Sequence, residues 1–402
     1  MTNGTVIVGT GQAGAQTAIS LRQSGYKEPV TLVGMEPQIP YERPPLSKKF
    51  LDGKIGIEQL LMRSPAFYAD KDITIRPNTR VNLVDRKAKL IQCTNNQTIA
   101  YNKLVLATGS RAREINCPGV KLPGVHYLRT INDVEGFRDK LVPGLRLVIV
   151  GGGFIGLEVA AVAAKRDCTV TVLEMMPLLL QRVVAPEISE FYADVHRTEG
   201  VDILTSTNVT AFEGNKKLER VVCDSKKIEA DLVIIGIGIL PNVELAEQAN
   251  LEVDNGIVVD ECTRTSDPNI FAAGECTNHP NSILGERLRL ESVPNALAQG
   301  KTAALAVLDR PEPYAEVPWF WSDQYDIKLQ MTGLSKPGDQ VIIRGNVSDR
   351  RFSACYLRSG VLVACHSVNA ARDFLQSKKL IASHAKPDQA LLADSSIALK
   401  DI

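Results

Sequence analysis

The chain has 402 residues, of which 44% are hydrophobic and 23% are charged. This length and composition are typical of a globular protein of two or three domains and exclude a disordered chain. The 46 Lys and Arg balance the 46 Asp and Glu, which excludes a polycation built for nucleic acid, so no nucleic-acid partner is predicted.

Two stretches of the sequence share one pattern. A predicted strand at Thr5–Val8 leads into G-T-G-Q-A-G at residues 9–14, a helix that ends near residue 24, and a strand at 29–33 followed by Glu36. A second block begins with a strand at Arg146–Val150 and G-G-G-F-I-G at 151–156. A helix to residue 165 and a strand at Thr169–Leu173 precede its acid, Glu174. Each block therefore reads strand, G-x-G-x-x-G, helix, strand, acid.

This pattern has a specific physical meaning. The first glycine makes a tight turn, the second lets backbone amides approach a pyrophosphate, and the third lets the helix pack closely on the strand. The acid accepts hydrogen bonds from a ribose. A glycine-rich turn is the alternative for either loop alone, but two complete copies indicate two dinucleotide sites, for which FAD and NAD(P)H are the natural pair. Glu174 would repel a 2′-phosphate and favours NADH, although Arg182 leaves NADPH open.

Further segments carry a family resemblance. Residues 103–111 (K-L-V-L-A-T-G-S-R), 231–242 and 265–275 resemble the strands that enter and leave the FAD domain of two-dinucleotide flavoproteins. Three motifs narrow the match: Y-E-R-P-P-L-S-K at 41–48, E-S-V-P-N-A at 291–296 and P-W-F-W-S-D-Q-Y at 318–325. Together they resemble the FAD-dependent NADH:ferredoxin reductases of bacterial oxygenase systems, of the putidaredoxin reductase type.

The resemblance implies a fold and a domain division. The fold is α/β, with two Rossmann-like dinucleotide-binding domains of the glutathione-reductase type and a C-terminal α/β domain. A discontinuous FAD-binding domain covers residues 1–113 and 246–317, the NADH-binding domain covers 114–245, and the C-terminal domain covers 318–402. The N-terminus shows no cationic leader, and the longest apolar stretch, at 147–164, contains three consecutive glycines and Glu158. A cytoplasmic protein without a membrane segment is expected.

The resemblance also assigns site residues. Those that bind non-covalent FAD are expected to be Gly9, Gly11, Ala13, Gly14, Met35, Glu36, Arg43, Lys48, Val81, Ala107, Thr108, Gly109, Arg111, Arg129, Glu275, Val293 and Trp321. Those that bind NADH are expected to be Gly151, Gly153, Phe154, Ile155, Gly156, Glu158, Glu174, Arg182, Gly236, Ile237 and Gly238. Two positions depart from the family pattern. Met35 stands where many relatives carry an acid, so Glu36 is expected to reach the ribose, and Glu275 replaces the usual aspartate.

Lys48 and Glu158 resemble the catalytic ion pair that the family places at the flavin and nicotinamide. Their alternatives are an exposed helix-end cation and a helix surface acid. The resemblance implies the hypothesis that this pair fixes the geometry in which NADH passes a hydride to the flavin, which would then return electrons one at a time to a [2Fe–2S] ferredoxin.

The cysteines argue against related disulfide reductases. None of the eight stands in a C-x4-C or C-x-x-C pair, so each is predicted to be buried packing, including Cys276 beside the expected flavin. No metal-ligand cluster is visible in the sequence, so the iron–sulfur centre is expected in the partner.

The expected partner is an acidic ferredoxin that feeds a cytochrome P450 or a ring-hydroxylating dioxygenase. Its docking cations are expected to be Arg63, Lys301 and Lys328, with Arg287, Arg289, Lys378 and Lys379 as further candidates and ordinary solvated charges as the alternative. Trp319 and Trp321 either anchor the third domain or lie at the flavin or the ferredoxin interface. Alternative functions are a rubredoxin reductase, an NADH oxidase, or a redox-sensing binding protein similar to apoptosis-inducing factor.

Overall fold

A computed structural model describes residues 3–94 and 96–402. The chain forms two compact units. The first unit contains residues 3–42, Glu58–Arg111 and Leu240–Phe320, and the second contains Arg43–Ile57, Ala112–Ile239 and Trp321–Ile402. Within the described ranges, no helix has both the length and the apolar composition needed to cross a bilayer.

The helices and strands follow one another along the whole described chain. The helices are α1 (Gln12–Gln23), α2 (Pro65–Asp70), α3 (Ile131–Glu135), α4 (Phe154–Lys165), α5 (Pro186–Thr198), α6 (Glu244–Gln248), α7 (Val293–Val307), α8 (Ala371–Ala382) and α9 (Gln389–Ala393). The strands to residue 150 are β1 (Thr5–Val8), β2 (Val30–Val33), β3 (Ile73–Arg76), β4 (Val81–Asp85), β5 (Leu90–Cys93), β6 (Thr98–Ala100), β7 (Lys103–Leu106), β8 (Ser110–Ala112), β9 (Val125–Tyr127) and β10 (Arg146–Val150). Those to residue 288 are β11 (Thr169–Leu173), β12 (Asp202–Leu204), β13 (Val209–Glu213), β14 (Arg220–Cys223), β15 (Lys227–Glu229), β16 (Leu232–Ile235), β17 (Ile239–Pro241), β18 (Ile257–Val258), β19 (Ile270–Ala272), β20 (Thr277–Asn281) and β21 (Glu286–Leu288). The last are β22 (Trp319–Gln324), β23 (Ile327–Gly333), β24 (Gln340–Asn346), β25 (Arg351–Arg358) and β26 (Val361–Val368).

The first unit is built on a parallel sheet of strand order β19-β7-β1-β2-β3. Every residue of the central strand β1 is buried, as expected when helices and other strands cover both faces of a parallel sheet. Helices α1 and α7 pack together so closely that a Cβ on Gly300 would lie 2.7 Å from the carbonyl oxygen of Ala13. The sheets β4-β5-β6 and β18-β20-β21 complete this unit.

The second unit contains a matching parallel sheet of order β12-β11-β10-β16-β9. The small antiparallel sheet β13-β14-β15 is formed by the residues between β12 and β16. In both parallel sheets the strand before the glycine loop is central, which puts the loop at the carboxyl edge where α/β sheets bind ligands. The predicted strand–loop–helix–strand order of both blocks is confirmed, as is the α/β fold class.

The C-terminal residues form a sheet of order β22-β23-β26-β25-β24, in which β23, β26, β25 and β24 pair antiparallel. Helix α8 packs on β23 and β26. The boundaries of the three predicted domains stay a prediction.

Candidate cofactor and electron-transfer site

The first glycine loop joins β1 to α1. Gly9 has a φ of +119°, and a Cβ built on it would lie 2.0 Å from the carbonyl oxygen of Ala107. A Cβ on Gly14 would lie 1.9 Å from the carbonyl oxygen of Gly9, so only glycine permits this approach of helix and loop. Gly11 is the N-cap residue of α1, and a Cβ on it would meet no described atom within 4 Å. This open space beside an uncapped helix N-terminus is suited to a pyrophosphate.

The acid at the end of β2 is held by a neighbouring tyrosine. The Tyr41 hydroxyl donates a hydrogen bond of 2.5 Å to Glu36 Oε2, and Tyr41 itself is buried. Met35 is 61% exposed. Glu36 is therefore the residue that presents a fixed polar group here, and its role toward a ribose stays a prediction.

The loop that follows β7 is joined to the residue that follows β17 by reciprocal hydrogen bonds. The Thr108 hydroxyl donates to the Asn242 carbonyl at 2.6 Å, and the Asn242 amide donates to the Thr108 carbonyl at 2.9 Å. The Asn242 backbone N–H also donates to the Gly109 carbonyl at 2.9 Å. Arg111 pairs with Glu244 at 2.7 Å. The structure thus brings three predicted flavin-binding residues together at one edge of the sheet.

The turn that follows β19 packs against the beginning of α1. Gly274 has a φ of +95°, and a Cβ on it would lie 2.9 Å from the Ala13 side chain. Its N–H donates to Gln299 Oε1 at 2.7 Å. The next residue, Glu275, is half-buried, and Cys276 is fully buried. Burial raises the pKa of the Cys276 thiol, which fits the predicted packing role.

Helix α7 begins at Val293, within the E-S-V-P-N-A motif. Ser292 is its N-cap residue, and the serine hydroxyl accepts a hydrogen bond of 3.3 Å from the Asn295 N–H. This helix ends at Val307, with Leu308 as its C-cap residue.

The second glycine loop repeats the geometry of the first. Gly151 has a φ of +110°, and a Cβ on it would lie 2.4 Å from the carbonyl oxygen of Gly236. A Cβ on Gly156 would lie 2.3 Å from the Gly151 carbonyl oxygen. Gly153 is the N-cap residue of α4, followed by Phe154 and the exposed Ile155.

The acid of the second block lies against this loop. The N–H groups of Gly152 and Met176 donate to the two carboxylate oxygens of Glu174, each at 2.7 Å. Arg182 Nη2 would lie 3.9 Å from a Cβ on Gly238, which stands on the neighbouring loop with Ile237. Glu174 and Arg182, the two residues that bear on cofactor choice, therefore lie beside two neighbouring loops, at Gly151–Gly156 and at Gly236–Gly238.

Lys48 and Glu158 form a buried ion pair. Lys48 Nζ lies 2.6 Å from Glu158 Oε2, and the exposed fractions of the two side chains are 19% and 2%. An exposed cation and a surface acid are therefore both excluded. The Ser47 hydroxyl donates to Glu158 Oε2, and the Ser322 hydroxyl donates to Oε1 at 2.6 Å. Three donors on one carboxylate compensate for the loss of its water.

Sequence reasoning missed the residues that surround this pair. Ser47 and Ser322 lie within motifs quoted for their family resemblance, but neither was assigned a role. The available signal was the alternation of buried polar residues on β22, where Ser322 and Gln324 share one face of the strand.

The remaining predicted flavin-binding residues lie in both units. Val81 begins β4 in the first unit and is buried. In the second unit, Arg43 Nη1 donates to the Arg129 carbonyl at 2.8 Å, which joins two predicted residues directly. Trp321 lies within β22 and is half-buried.

The predicted docking cations differ in how they are held. Arg63, Lys301 and Lys328 have exposed positions. Arg287 is also exposed, but its guanidinium donates two hydrogen bonds to backbone carbonyls at 2.6 and 2.7 Å. The Arg289 side chain is 14% exposed and is paired with Glu291. Lys379 is exposed and Lys378 is half-buried. The docking role of all seven cations stays a prediction.

All eight cysteines are free thiols, and seven are buried as predicted. Cys117 is only half-buried, so the prediction of a buried thiol is wrong there. Two of the cysteines are neighbours that the sequence spacing did not reveal. Cys355 and Cys365 face each other across β25 and β26, with their sulfur atoms 3.8 Å apart.

The residues present fit the two predicted cofactors. Each parallel sheet has a glycine at positive φ, a glycine at the helix N-cap and a third glycine against the loop backbone. A side chain at the N-cap glycines Gly11 and Gly153 would enter the open space that suits a dinucleotide pyrophosphate, whereas one at the other glycines would collide with the loop backbone.

Comparison with known proteins supports the same interpretation. The pyridine nucleotide-disulphide oxidoreductase family matches residues 4–300, and the reductase C-terminal family matches residues 319–402. Putidaredoxin reductase CamA from Pseudomonas putida is 43% identical over 99% of this chain and 96% of its own length. The ferredoxin–NAD(+) reductase component of an anthranilate 1,2-dioxygenase system from Burkholderia cepacia is 42% identical over 98% of both chains. The crystal structure of a covalent putidaredoxin reductase–putidaredoxin complex matches with a TM-score of 0.96 and 42% identity, covering 99% of this chain and 97% of the other. The chain belongs to the pyridine nucleotide-disulphide oxidoreductase family, and its residues 319–402 match the reductase C-terminal family.

Proposed function

We propose that this chain is an NADH-dependent FAD reductase of a [2Fe–2S] ferredoxin, which feeds a cytochrome P450 or a ring-hydroxylating dioxygenase. One observation carries the proposal. Two glycine loops of matching geometry stand at the carboxyl edges of two parallel sheets, and one chain holds both. Two such loops serve two dinucleotides, and a flavin paired with a nicotinamide converts a two-electron donor into one-electron steps.

The first unit supplies most of the groups that would hold FAD. The amides at the N-terminus of α1 would bind its pyrophosphate, Glu36 its ribose, and the N-terminus of α7 would face the flavin ring. Arg43, Arg129 and Lys48 belong to the predicted set of FAD-binding residues. When bound, the flavin accepts a hydride from NADH and passes electrons singly to an acceptor.

The second unit would bind NADH through the loop at Gly151–Gly156. Glu174 supports NADH over NADPH, because its carboxylate is fixed by two backbone N–H groups and would repel a 2′-phosphate at that position. The buried Lys48–Glu158 pair would orient the nicotinamide, since a fixed pair of opposite charges holds one geometry while contributing little net charge.

The acceptor is inferred from relatives and from charge. The names of two relatives specify a putidaredoxin reductase and a dioxygenase-system ferredoxin–NAD(+) reductase, and a matching structure is a reductase–putidaredoxin complex. The exposed cations Arg63, Lys301 and Lys328 would attract an acidic ferredoxin. The three-domain division given above and a cytoplasmic location, where the free cysteines would stay reduced, belong to the same proposal.

The test is an anaerobic stopped-flow titration of the FAD-loaded protein with NADH and with NADPH, followed by cytochrome c reduction with and without a [2Fe–2S] ferredoxin. The expected result is rapid flavin bleaching by NADH and turnover that depends on ferredoxin. Bleaching by NADPH but not NADH would overturn the cofactor assignment.

The same assay separates the alternatives. Turnover that rubredoxin stimulates and ferredoxin does not would indicate a rubredoxin reductase. Rapid NADH consumption with O2 as the sole acceptor would indicate an oxidase. Slow reduction with a long-lived NADH charge-transfer band would indicate a redox-sensing binding protein.

A further inference from the structure

The hydrogen bonds to Glu158 continue beyond Ser322 into a buried chain of polar side chains. Gln324 Nε2 lies 3.2 Å from Ser322 Oγ, and Gln324 Oε1 lies 2.8 Å from His196 Nε2. The other ring nitrogen, His196 Nδ1, lies 3.1 Å from the Tyr325 hydroxyl. Ser322, Gln324 and His196 are each at most 1% exposed. Strand β22 and helix α5 of the second unit thus meet through polar groups where apolar packing would be the ordinary solution.

The charge on Glu158 sets the direction of every bond in this chain. Paired with the Lys48 ammonium, the carboxylate only accepts, so the Ser322 hydroxyl must donate to it. The Ser322 oxygen then accepts from the Gln324 amide group, which leaves Gln324 Oε1 facing His196. An amide oxygen also only accepts, so His196 Nε2 must carry the hydrogen.

The remaining bond follows from the state of the imidazole. Burial lowers the pKa of His196 to about 4, so the ring is neutral near pH 7 and carries one hydrogen. With that hydrogen on Nε2, Nδ1 accepts from the Tyr325 hydroxyl. The Tyr325 ring lies edge-on to the imidazole, at 5.1 Å between centroids, which holds the hydroxyl in place.

We propose that a relay of hydrogen bonds positions the Glu158 carboxylate beside Lys48. The relay runs in one direction, from Tyr325 through His196, Gln324 and Ser322 to Glu158, and these four are positioning residues. The inference rests on the proposed function, since Glu158 has a task only if NADH binds beside it. Four consecutive bonds donate toward the same carboxylate, and hydrogen bonds aligned in this way polarise and strengthen one another.

The relay positions a charge and does not conduct a proton. A primary amide such as that of Gln324 has no titratable proton near neutral pH, so it interrupts proton transfer while still transmitting orientation. Ser322 holds Oε1, whereas Ser47 and Lys48 hold Oε2. The carboxylate plane of Glu158 is therefore fixed from both sides.

The first test measures the tautomer of His196 by ¹⁵N NMR of the FAD-loaded protein labelled at histidine. The chain has five histidines, and the spectrum of His196→Asn identifies the signal. The expected result is a neutral ring with the hydrogen on Nε2. A hydrogen on Nδ1 would reverse the Gln324 amide, turn the Ser322 hydroxyl away from Glu158, and overturn the proposal.

The second test compares Ser322→Ala and Tyr325→Phe in anaerobic NADH stopped flow. Loss of a hydrogen bond to a charged group should lower the limiting rate of flavin reduction about tenfold in Ser322→Ala. The Kd for NADH should change less than about threefold, because the adenine half of NADH contacts other residues. Tyr325→Phe, at the far end of the relay, should lower the rate about twofold.

The controls separate positioning from folding and from the function itself. Ser322→Thr keeps the hydroxyl and should restore the rate. Ser377→Ala removes a buried hydroxyl of α8 that donates to the Phe374 carbonyl, and it should leave the rate unchanged. Equal rates for Ser322→Ala and wild type would overturn the relay and leave the proposed function standing. A wild-type protein that NADH does not reduce would overturn the proposed function, while the tautomer measurement would still decide the relay.

Discussion

Lys48 and Glu158 are joined by a 2.6 Å ion pair although they come from distant parts of the chain. Lys48 follows the short 3-10 helix Pro44–Ser47, and Glu158 lies in the second turn of α4. The contact therefore ties the R-P-P-L-S-K segment to the helix that opens the second dinucleotide loop. A buried carboxylate needs this partner, because an unpaired charge at 2% exposure would be strongly destabilising.

A double-mutant cycle tests this pair. Removing one partner leaves a buried charge, so Lys48→Met should lower the free energy of unfolding of the second unit by about 3 kcal/mol. Adding Glu158→Gln should recover much of that loss, because it removes the orphaned charge. Urea unfolding of the four proteins gives the coupling energy. Additive effects of the two substitutions would contradict a direct pair.

The glycine loops predict separate losses of the two cofactors. Gly14→Ala would place a Cβ 1.9 Å from the Gly9 carbonyl oxygen, and Gly156→Ala would place one 2.3 Å from the Gly151 carbonyl oxygen. Each substitution forces the helix away from its loop, at a cost of about 1–3 kcal/mol. The first should be purified without flavin absorbance, and the second should retain flavin and raise the KM for NADH about tenfold.

Gly56→Ala is the control for these substitutions. Its added Cβ would meet no atom within 4 Å in the described part of the chain. Flavin content and the KM for NADH should equal those of the wild type. Flavin retained in Gly14→Ala would show that the first loop does not bind the dinucleotide as proposed.

Much of the fold and both glycine loops could be predicted because they follow local rules. Thr5–Val8 and Arg146–Val150 are apolar runs bounded by glycine, and a strand followed by G-x-G-x-x-G and a helix has one common geometry. The acids Glu36 and Glu174 could be found by their distance from the loop.

The rest depends on tertiary contacts that spacing does not encode. Ser322 meets Glu158 and Gln324 meets His196 only because β22 is paired into the C-terminal sheet, and Cys355 meets Cys365 only through the register of β25 and β26. The sequence predicts that Arg287 is a solvated surface cation, whereas in the structure its guanidinium donates hydrogen bonds to the backbone carbonyls of Val259 and Asn278. Such roles require the coordinates of the partner groups.

The docking proposal predicts a salt-dependent loss of ferredoxin affinity. Reversing an exposed cation removes one attraction and adds one repulsion, so Arg63→Glu, Lys301→Glu or Lys328→Glu should each raise the KM for ferredoxin about threefold to tenfold at low salt. The effect should fade as salt shortens the range of the charges. Lys227→Glu, a reversal on β15 at a lysine paired with Glu213, should leave this KM unchanged. A wild-type KM that does not depend on salt would contradict the basic docking surface.

Three buried histidines predict a loss of stability in mild acid. Burial lowers the pKa of His196 and His279 to about 4 and that of His366 to about 3. An unfolded histidine titrates near pH 6.5, at about the reference value. Between that pH and the folded values, the unfolded chain therefore binds more protons than the folded chain. The free energy of unfolding is then highest above pH 6.5 and falls by about 1.4 kcal/mol per pH unit for each group as the pH drops toward 4.

The measurement is the urea dependence of unfolding at pH 7 and at pH 5. His366→Gln lowers stability at pH 7, because it removes the ring nitrogen that is hydrogen-bonded to the Tyr356 hydroxyl, but it should also reduce the loss between the two pH values. His279→Gln should reduce that loss by a similar amount. His384→Gln removes an exposed imidazole and serves as the matched control. An acid-induced loss of equal size in the wild type and both buried-site variants would show that other groups cause it, since each substitution removes one protonation from the unfolded state.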